Sequence, residues 1–249
     1  PGVADSYPSS MSFENAIATS PLLSGVDPLM VRSIAGSLTE EHWSKGRQLM
    51  GTAASVESFR LVIEGRVKIV RSNPRDGREL TLWLLGPGDG FDIVSLLDGQ
   101  PHGVAAWAVD DVRTLAAPMA LWRRWLEESR PLRLAIHRYV AGKLREVTEL
   151  AGEIALHDTS ARLAHLLLRH FDSREDNLLR DLPQRELASM IGSVRIVVSR
   201  LLARMRREGV IELRGGAVRA VDLKRLLAKA QSELTRQSTS ERETNVRKV

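Results

Sequence analysis

The spacing of apolar residues divides the chain into a β-rich half and a helical half. Short helical patterns occur within residues 16–43, followed between residues 45 and 118 by apolar runs that glycine-rich turns separate. The apolar positions of the first region that share one helical face are Leu29, Val31, Ile34 and Leu38. The predicted strands span residues 61–70, 79–85 and 104–109. Many short strands separated by turn residues indicate a small barrel or jelly roll.

From residue 121 onward the pattern is helical, and one segment is unusually long. Residues 131–156 contain no proline after the first position and predict a helix about 35–40 Å long. Its apolar positions repeat with a heptad-like spacing. They are Ile136, Val140, Val147, Ala151 and Ile154. Two explanations remain open: the helix packs against a second copy of the chain, or it is a long amphipathic helix within a monomer.

The last third of the chain predicts a helix-turn-helix followed by a β-hairpin. After a hinge with capping residues at 157–160 and a helix over 161–171, Pro183 opens a short helix that ends at the tight turn Gly192-Ser193. The inward-facing residues predicted for the next helix are Val194, Val197, Val198, Leu201, Leu202 and Met205. Residues 210–213 and 217–221 then flank a glycine turn, as in a wing.

Composition and charge limit the classes of function that fit the chain. The net charge is +5, but residues 183–229 alone carry eleven Lys/Arg and four acids, which favours a polyanion-binding module in that region. The chain has no cysteine, which excludes disulfides, cysteine-ligated zinc and iron–sulfur clusters. No apolar run is long enough to span a bilayer and no signal-peptide pattern is present, so we expect a cytoplasmic protein.

The start of the second helix of the helix-turn-helix carries the candidate DNA contacts. Arg195 and Arg200 lie five residues apart, and a guanidinium group can bind guanine O6 and N7 together in the major groove. Ser193 and Ser199 are candidates for phosphate or base contacts. Arg204, further along the helix, is a candidate for phosphate neutralisation.

The whole chain resembles the cyclic-AMP receptor protein/FNR family of bacterial transcription regulators. The likeness rests on RELASMIGSVRIVVSRLLARM (185–205), on the glycine turn of LVIEGRVKIV at Gly65, and on GREL followed by GPGDGF. It implies an α+β fold: a cyclic-nucleotide-binding-like jelly-roll barrel, a long dimerisation helix and a winged helix-turn-helix. It also implies a homodimer that reads a two-fold symmetric DNA site, acts with RNA polymerase and activates transcription.

Under this resemblance the chain divides into five segments. They are a flexible N-terminus (1–15), an effector-sensing barrel domain (16–130), a dimerisation helix (131–157), a winged helix-turn-helix domain (158–230) and a disordered tail (231–249). Ile196 replaces an acid that the cyclic-AMP receptor protein uses to read cytosine. Because Ile196 suits a thymine methyl group better, we expect a different target sequence.

The candidate effector pocket departs from the family pattern. Family members that bind cyclic nucleotides use a Gly-Glu pair for the ribose and an Arg-Ser/Thr pair for the phosphate. Here those positions hold Asp92-Ile93 and His102-Gly103, and Thr148 on the long helix completes the candidate set. Without an arginine a buried cyclic phosphate would lack a cationic partner, so we expect no cyclic-AMP binding in the usual pose.

Two alternative functions stay open, and a third, an enzyme, is not expected. A haem-based gas sensor of the same fold is open, with His42, His102, His137 and the N-terminal Pro1 as ligand candidates. A ligand-binding module that acts through a protein partner is also open. An enzyme is not expected, since no nucleophile motif, phosphate-binding glycine loop or metal-ligand spacing is apparent, and the catalytic and metal residues are therefore assigned as none.

Overall fold

The computed structural model describes residues 17, 19–52, 57–171, 178–179, 181–214, 217–220 and 222–231. The chain divides into two compact units, the first made of residues 1–72 and 82–146 and the second of residues 73–81 and 147–249. The predictions for the N-terminal segment 1–15 and for residues 232–249 lie outside the described residues. Gln231, predicted as the first residue of the tail, instead ends a helix.

Two four-stranded antiparallel sheets form the β-rich part of the chain, in the orders β1-β8-β3-β6 and β2-β7-β4-β5. The strands are β1 (Thr39–Trp43), β2 (Gln48–Met50), β3 (Ser58–Glu64), β4 (Val67–Ser72), β5 (Glu79–Leu85), β6 (Gly90–Phe91), β7 (Ala105–Ala108) and β8 (Val112–Pro118). The turn at 73–77 joins β4 to β5, as its sequence predicts.

Strand β3 is buried on both faces, which explains its almost continuous apolar sequence. Phe59 and Leu61 belong to a core formed with helices, whereas Val62 points into the core that includes Val67 and Phe91. The helices around the first core are α1 (Pro28–Ala35), α2 (Ile93–Asp98), α3 (Met119–Glu128) and the first part of α4 (Arg130–Leu156). A 3₁₀ turn at Pro21–Leu23 adds Leu22 and Leu23.

Gly65 makes the tight connection between β3 and β4. Its φ is +79°, and a Cβ atom there would lie 2.3 Å from the carbonyl oxygen of Asp111. Any other residue would therefore combine left-handed backbone strain with a backbone clash. The glycine turn noted in the sequence has a steric cause.

Two sequence predictions for this region are wrong. The helical pattern predicted up to residue 43 ends earlier, since residues 39–43 form strand β1 and pair with β8. Leu29, predicted for the apolar face of the first helix, is 69% exposed. The apolar residues after GPGDG form the two-residue strand β6 and then helix α2. Short helices and strands with similar apolar runs cannot be separated by periodicity alone.

The second unit contains the end of α4 and the helix-turn-helix elements. Its further elements are α5 (Thr159–Phe171), α6 (Gln184–Met190), α7 (Arg195–Arg207), β9 (Ile211–Arg214), β10 (Ala217–Ala220) and α8 (Leu223–Gln231). Asp158 caps α5 by accepting a hydrogen bond from the backbone N–H of Ala161 at 2.7 Å. Strands β9 and β10 pair antiparallel, as predicted for the wing. None of the described helices is long and apolar enough to cross a membrane.

Candidate nucleic-acid interface and ligand pocket

The turn between α6 and α7 is closed by a Schellman motif. Gly192 has φ +60°, its N–H donates to the carbonyl of Ser189, and the N–H of Ser193 donates to the carbonyl of Ala188. Helix α7 ends in the same way, since Gly209 has φ +68° and Val210 N–H donates to Met205. Both helices therefore stop at a residue that tolerates positive φ, which fixes the length of α7.

Helix α7 packs one side inward and leaves the other in solvent. Val198, Leu202 and Met205 are at most 1% exposed. At 3.6 residues per turn, positions 195, 196, 199 and 200 span an arc of about 140° next to this buried side, and all four are exposed. Val194 was predicted to face inward but is 46% exposed. It precedes the first turn of α7 with extended backbone, so the helical spacing does not apply to it.

The exposed face of α7 presents guanidinium groups without matching carboxylates. Within the described part of the chain no acid forms an ion pair with Arg195 or Arg200. Arg204 differs, because its Nε lies 2.8 Å from Oε1 of Glu208, whose Oε2 lies 2.5 Å from Nζ of Lys229. These two cations lower the pKa of Glu208. Arg204 is thus partly neutralised, whereas Arg195 and Arg200 offer their full charge to a partner.

An apolar group and open backbone donors lie at the beginning of the same face. Ile196 is 65% exposed, which is unusual for isoleucine and leaves its side chain available for contact. No side chain caps the first turn of α7. Its free N–H groups and the helix dipole therefore favour an anion at this end. Ser193 is half-buried in the turn and Ser199 is exposed.

The candidate effector pocket in the first unit is small and mostly apolar. It is a cavity of about 30 Å³. The residues that line it are Ile69, Trp83, Leu85, Gly90, Phe91, Asp92, Ile93, Val94, His102, Val104, Tyr139 and Lys143. The rings of Trp83 and His102 lie 6.1 Å apart. The structure therefore brings together three of the predicted pocket residues, Asp92, Ile93 and His102.

Two of the predicted pocket residues do not line this cavity. Gly103 is exposed and has φ +69°, so it serves the turn before β7. Thr148 is exposed on α4 within the second unit. The resemblance alone placed these two residues in the set, and neither is among the lining residues.

Burial shifts the pKa values of Asp92 and His102 in the pocket. Asp92 is 6% exposed, sits in the left-handed region with φ 68°, and neither carboxylate oxygen has a partner of good hydrogen-bond geometry among the described residues. Burial raises the pKa of Asp92 to about 6, and nearby Ser95 opposes this only in part. Burial also lowers the pKa of His102, with Asp98 opposing, so His102 is neutral at pH 7.

Helix α4 contributes two pocket residues that the sequence did not indicate. The hydroxyl of Tyr139 lies 2.9 Å from the carbonyl oxygen of Gly90 and 3.0 Å from Oδ1 of Asp89. Burial raises the pKa of Tyr139, so its hydroxyl stays protonated. The Nζ of Lys143 lies 3.6 Å from Asp89 and 3.1 Å from Glu146. The cation nearest the pocket is therefore already paired with two carboxylates.

Comparison with known proteins identifies the relatives of both units. A model described as "Crp-like helix-turn-helix domain" matches residues 161–229, and "Cyclic nucleotide-binding domain" matches residues 40–129. The "Cyclic AMP receptor protein" of Thermus thermophilus is 31% identical over 203 residues, which cover 80% of this chain and 91% of the relative. The chain belongs to the Crp family.

Two further relatives agree with this assignment to the Crp family. The "CRP-like cAMP-activated global transcriptional regulator" of Mycobacterium tuberculosis is 28% identical over 224 residues, covering 88% of this chain and all of the relative. The structure of FixK2 from Bradyrhizobium japonicum shares the fold with a TM-score of 0.69 at 20% identity, over 77% of this chain and 96% of that one. The predicted fold class is confirmed: the chain is a Crp-family transcription regulator with a helix-turn-helix DNA-binding domain.

The cavity beside α2 is smaller than the usual pocket for a small ligand. Pockets for small ligands have volumes of roughly 300–1,000 Å³, whereas this cavity has about 30 Å³, near the size of one water molecule. No arginine lines it, and the buried carboxylate of Asp92 would repel a phosphate. His102, the haem-ligand candidate in this part of the chain, lines the cavity beside Trp83. Of the other haem-ligand candidates, His42 and His137 are exposed and Pro1 lies outside the described residues.

Proposed function

We propose that this chain is a homodimeric, sequence-specific DNA-binding regulator in which α7 enters the major groove. The observation that carries the proposal is the pair of exposed, unmatched guanidinium groups of Arg195 and Arg200 on the first turns of α7. Each guanidinium can contact guanine O6 and N7 together. Two such contacts would make the chain prefer guanines at the positions that Arg195 and Arg200 contact.

The neighbouring residues take supporting roles. Ser193 and Ser199 contact phosphates or base edges beside the arginines, and Arg204 neutralises a phosphate with the charge that Glu208 leaves available. Ile196, which is 65% exposed, contacts a thymine methyl group. The preferred site therefore contains guanines that the arginines read, next to an A·T pair.

Homodimer formation is supported by the apolar face of α4. The heptad positions Val140, Val147 and Ile154 alternate with Leu144 and Ala151, and Leu144 is 65% exposed. A second copy packed along this face would cover it. Two α7 helices related by two-fold symmetry then read half-sites about one helical turn apart.

The relatives suggest how DNA binding by this chain is used and which domains the chain contains. Residues 16–130 form a sensing domain, 131–157 a dimerisation helix and 158–230 the DNA-binding domain. One relative is named a cAMP-activated global transcriptional regulator, and from the family resemblance we infer that this chain acts as an activator with RNA polymerase. In this chain the effector is not cyclic AMP in the usual pose, because the small cavity and buried Asp92 oppose it.

Selection of duplex DNA from a random library, followed by affinity measurements over a salt series, tests this function. DNA binding through phosphates should weaken steeply as salt rises, because neutralised phosphates release counterions. A two-fold symmetric selected site with a steep salt slope is the expected result. Failure to enrich any sequence, with salt-insensitive binding to a protein instead, would favour a module that acts through a protein partner.

The effector part of the proposal has its own test. Cyclic AMP added to the complex with the selected site should leave the DNA affinity unchanged, and calorimetry should detect no binding in the pocket. A tight one-to-one titration, abolished by His102→Ala, would contradict it.

A further inference from the structure

Two histidines and a glutamate meet in the second unit, where α4 is followed by α5. The potential ligand atoms of Glu153, His157 and His165 all lie within 4.8 Å of one another. All three side chains are half-buried. The set lies outside α7 and its candidate DNA contacts.

Local structure explains how the three side chains come together. The N–H of His157 donates to the carbonyl of Glu153 at 3.1 Å, so these residues are one helical turn apart on the same face. His165 comes from α5, after the turn that Asp158 caps. Its Nδ1 lies 3.5 Å from Oε1 of Glu153, and its ring centroid lies 5.1 Å from that of His157.

The hydrogen bonds of the cluster direct Nδ1 of His165 and the carboxylate of Glu153 toward each other. Nε2 of His165 lies 3.1 Å from the carbonyl oxygen of Ala230, and since a carbonyl only accepts, Nε2 carries the proton. In the neutral ring Nδ1 is then a lone pair that faces the carboxylate of Glu153. Oε2 of Glu153 is buried and has no hydrogen-bond partner. Two acceptors facing each other, one of them buried and unsatisfied, are unfavourable unless a cation lies between them.

We propose that Glu153, His157 and His165 form a binding site for a first-row divalent cation of the zinc type. Two imidazoles and one carboxylate are a zinc ligand set that leaves a fourth position for water. The bond from His165 to a backbone carbonyl is the kind of outer contact that orients a ligating histidine. Tetrahedral ligands about 2.0–2.1 Å from zinc lie about 3.3 Å apart, close to the separation of Glu153 and His165. The ligand nitrogen of His157 lies within 4.8 Å of the other two ligand atoms, so metal binding would require it to move closer to them.

The cation would fasten the end of α4 to α5, and through His165 to the C-terminal end of α8. It thereby restrains the turn at residues 157–158. The site does not depend on DNA reading by α7. Its test and that of the proposed function can therefore fail separately.

Titration of the full-length, tag-free protein with Zn²⁺ by calorimetry tests the site, with Co²⁺ absorption as a second readout. Because the chain has no cysteine, thiolates cannot account for binding. We expect one Zn²⁺ per chain, a Co²⁺ spectrum typical of four-coordination, and no comparable binding of Mg²⁺, which prefers oxygen ligands. His157→Ala and His165→Ala should each weaken Zn²⁺ binding by about 10- to 100-fold or more.

Two further variants separate the site from general effects of mutation. Glu153→Gln keeps the size of the side chain and removes its charge, so it should fold normally and lose Zn²⁺ affinity. His42→Ala, which removes an exposed histidine beside Glu40, should bind Zn²⁺ like the natural chain. Absence of stoichiometric binding in the natural chain, or equal affinity in Glu153→Gln, would overturn the proposal.

Discussion

The exposed face of α7 and the pocket beside α2 have opposite electrostatic character. On α7, Arg195 and Arg200 are exposed cations that no described carboxylate neutralises. In the pocket, the central charged group is the buried carboxylate of Asp92, His102 is neutral, and Lys143 is already paired with Asp89 and Glu146. The exposed face of α7 is suited to an anionic partner, whereas the charges in the pocket beside α2 are not.

This difference is what the proposed DNA contacts, together with an effector other than cyclic AMP, would require. Contacts with DNA phosphates and guanines need cations whatever the target sequence, so a reading helix retains arginines while its apolar or acidic positions change. A sensing pocket retains an arginine only if its ligand is an anion. Under the proposed function, the chain would therefore combine an arginine-bearing DNA-reading surface with a pocket that does not take an anion.

The largest expected effect is on the α7 side of the comparison. The double substitution Arg195→Ala and Arg200→Ala should reduce affinity for the selected DNA site by about 2–6 kcal/mol, since each bidentate guanine contact contributes about 1–3 kcal/mol. Fluorescence anisotropy with labelled duplex measures the change. Arg124→Ala is the matched control, because Arg124 is exposed on α3 and paired with Glu128. Equal losses in both variants would mean that α7 does not read bases.

The next largest expected effect is on dimer formation. Leu144→Lys places a charge on the apolar face of α4 and should raise the dimer dissociation constant roughly tenfold or more, with a parallel loss of DNA affinity. Leu144 is 65% exposed in the single chain, so the fold should be unaffected. Analytical ultracentrifugation reports the change, with Leu29→Lys on exposed Leu29 as the control. An unchanged mass distribution would show that α4 is not the interface.

On the pocket side, Asp92→Asn should stabilise the protein at neutral pH. Because folding raises the pKa of Asp92 to about 6, the folded state binds the proton more tightly, and stability is lost as pH rises from about 4 to about 6. After allowance for solvent screening the gain at pH 7.5 is about 1–2 kcal/mol and vanishes near pH 4. Urea unfolding at both pH values measures it, with Glu127→Gln on exposed Glu127 as control. A gain that is independent of pH would contradict the assignment.

The smallest expected effect is on Arg204, which lies on α7 but is already paired with Glu208. Arg204→Ala should weaken binding to all DNA sequences by less than about 1 kcal/mol, because Glu208 already offsets part of its charge. The salt slope should fall by about 1, as expected for one lost phosphate contact. Affinities for the selected site and for a scrambled duplex give both quantities. A loss confined to the selected site would instead place Arg204 on a base.

The helix-turn-helix was predictable from sequence because local rules determine it. Gly192 and Gly209 mark both helix ends, and the spacing of Val198, Leu202 and Met205 gives the buried side. Helix α8 was missed, although Asp222 precedes and caps it: Oδ1 of Asp222 accepts a hydrogen bond from the backbone N–H of Arg225 at 3.0 Å. Its nine residues are too short for a convincing helical repeat.

The pocket and the Glu153–His157–His165 cluster were less predictable because they depend on tertiary packing. Tyr139 and Lys143 lie about fifty residues beyond Asp89 and Gly90, and only the packing of α4 brings these groups together. The resemblance placed Thr148 and Gly103 in the pocket, and neither lines the cavity. In the cluster, the turn after α4 brings His165 to Glu153, which spacing along the chain does not reveal.

Methylation protection of guanine N7 on the selected duplex tests the central claim most directly, because N7 lies in the major groove where Arg195 and Arg200 are proposed to bind. We expect protected guanines in two symmetric half-sites whose centres are about one helical turn apart. The double substitution at Arg195 and Arg200 should restore their reactivity. Bound protein that leaves every guanine N7 reactive, or that protects one unrepeated position, would contradict the account.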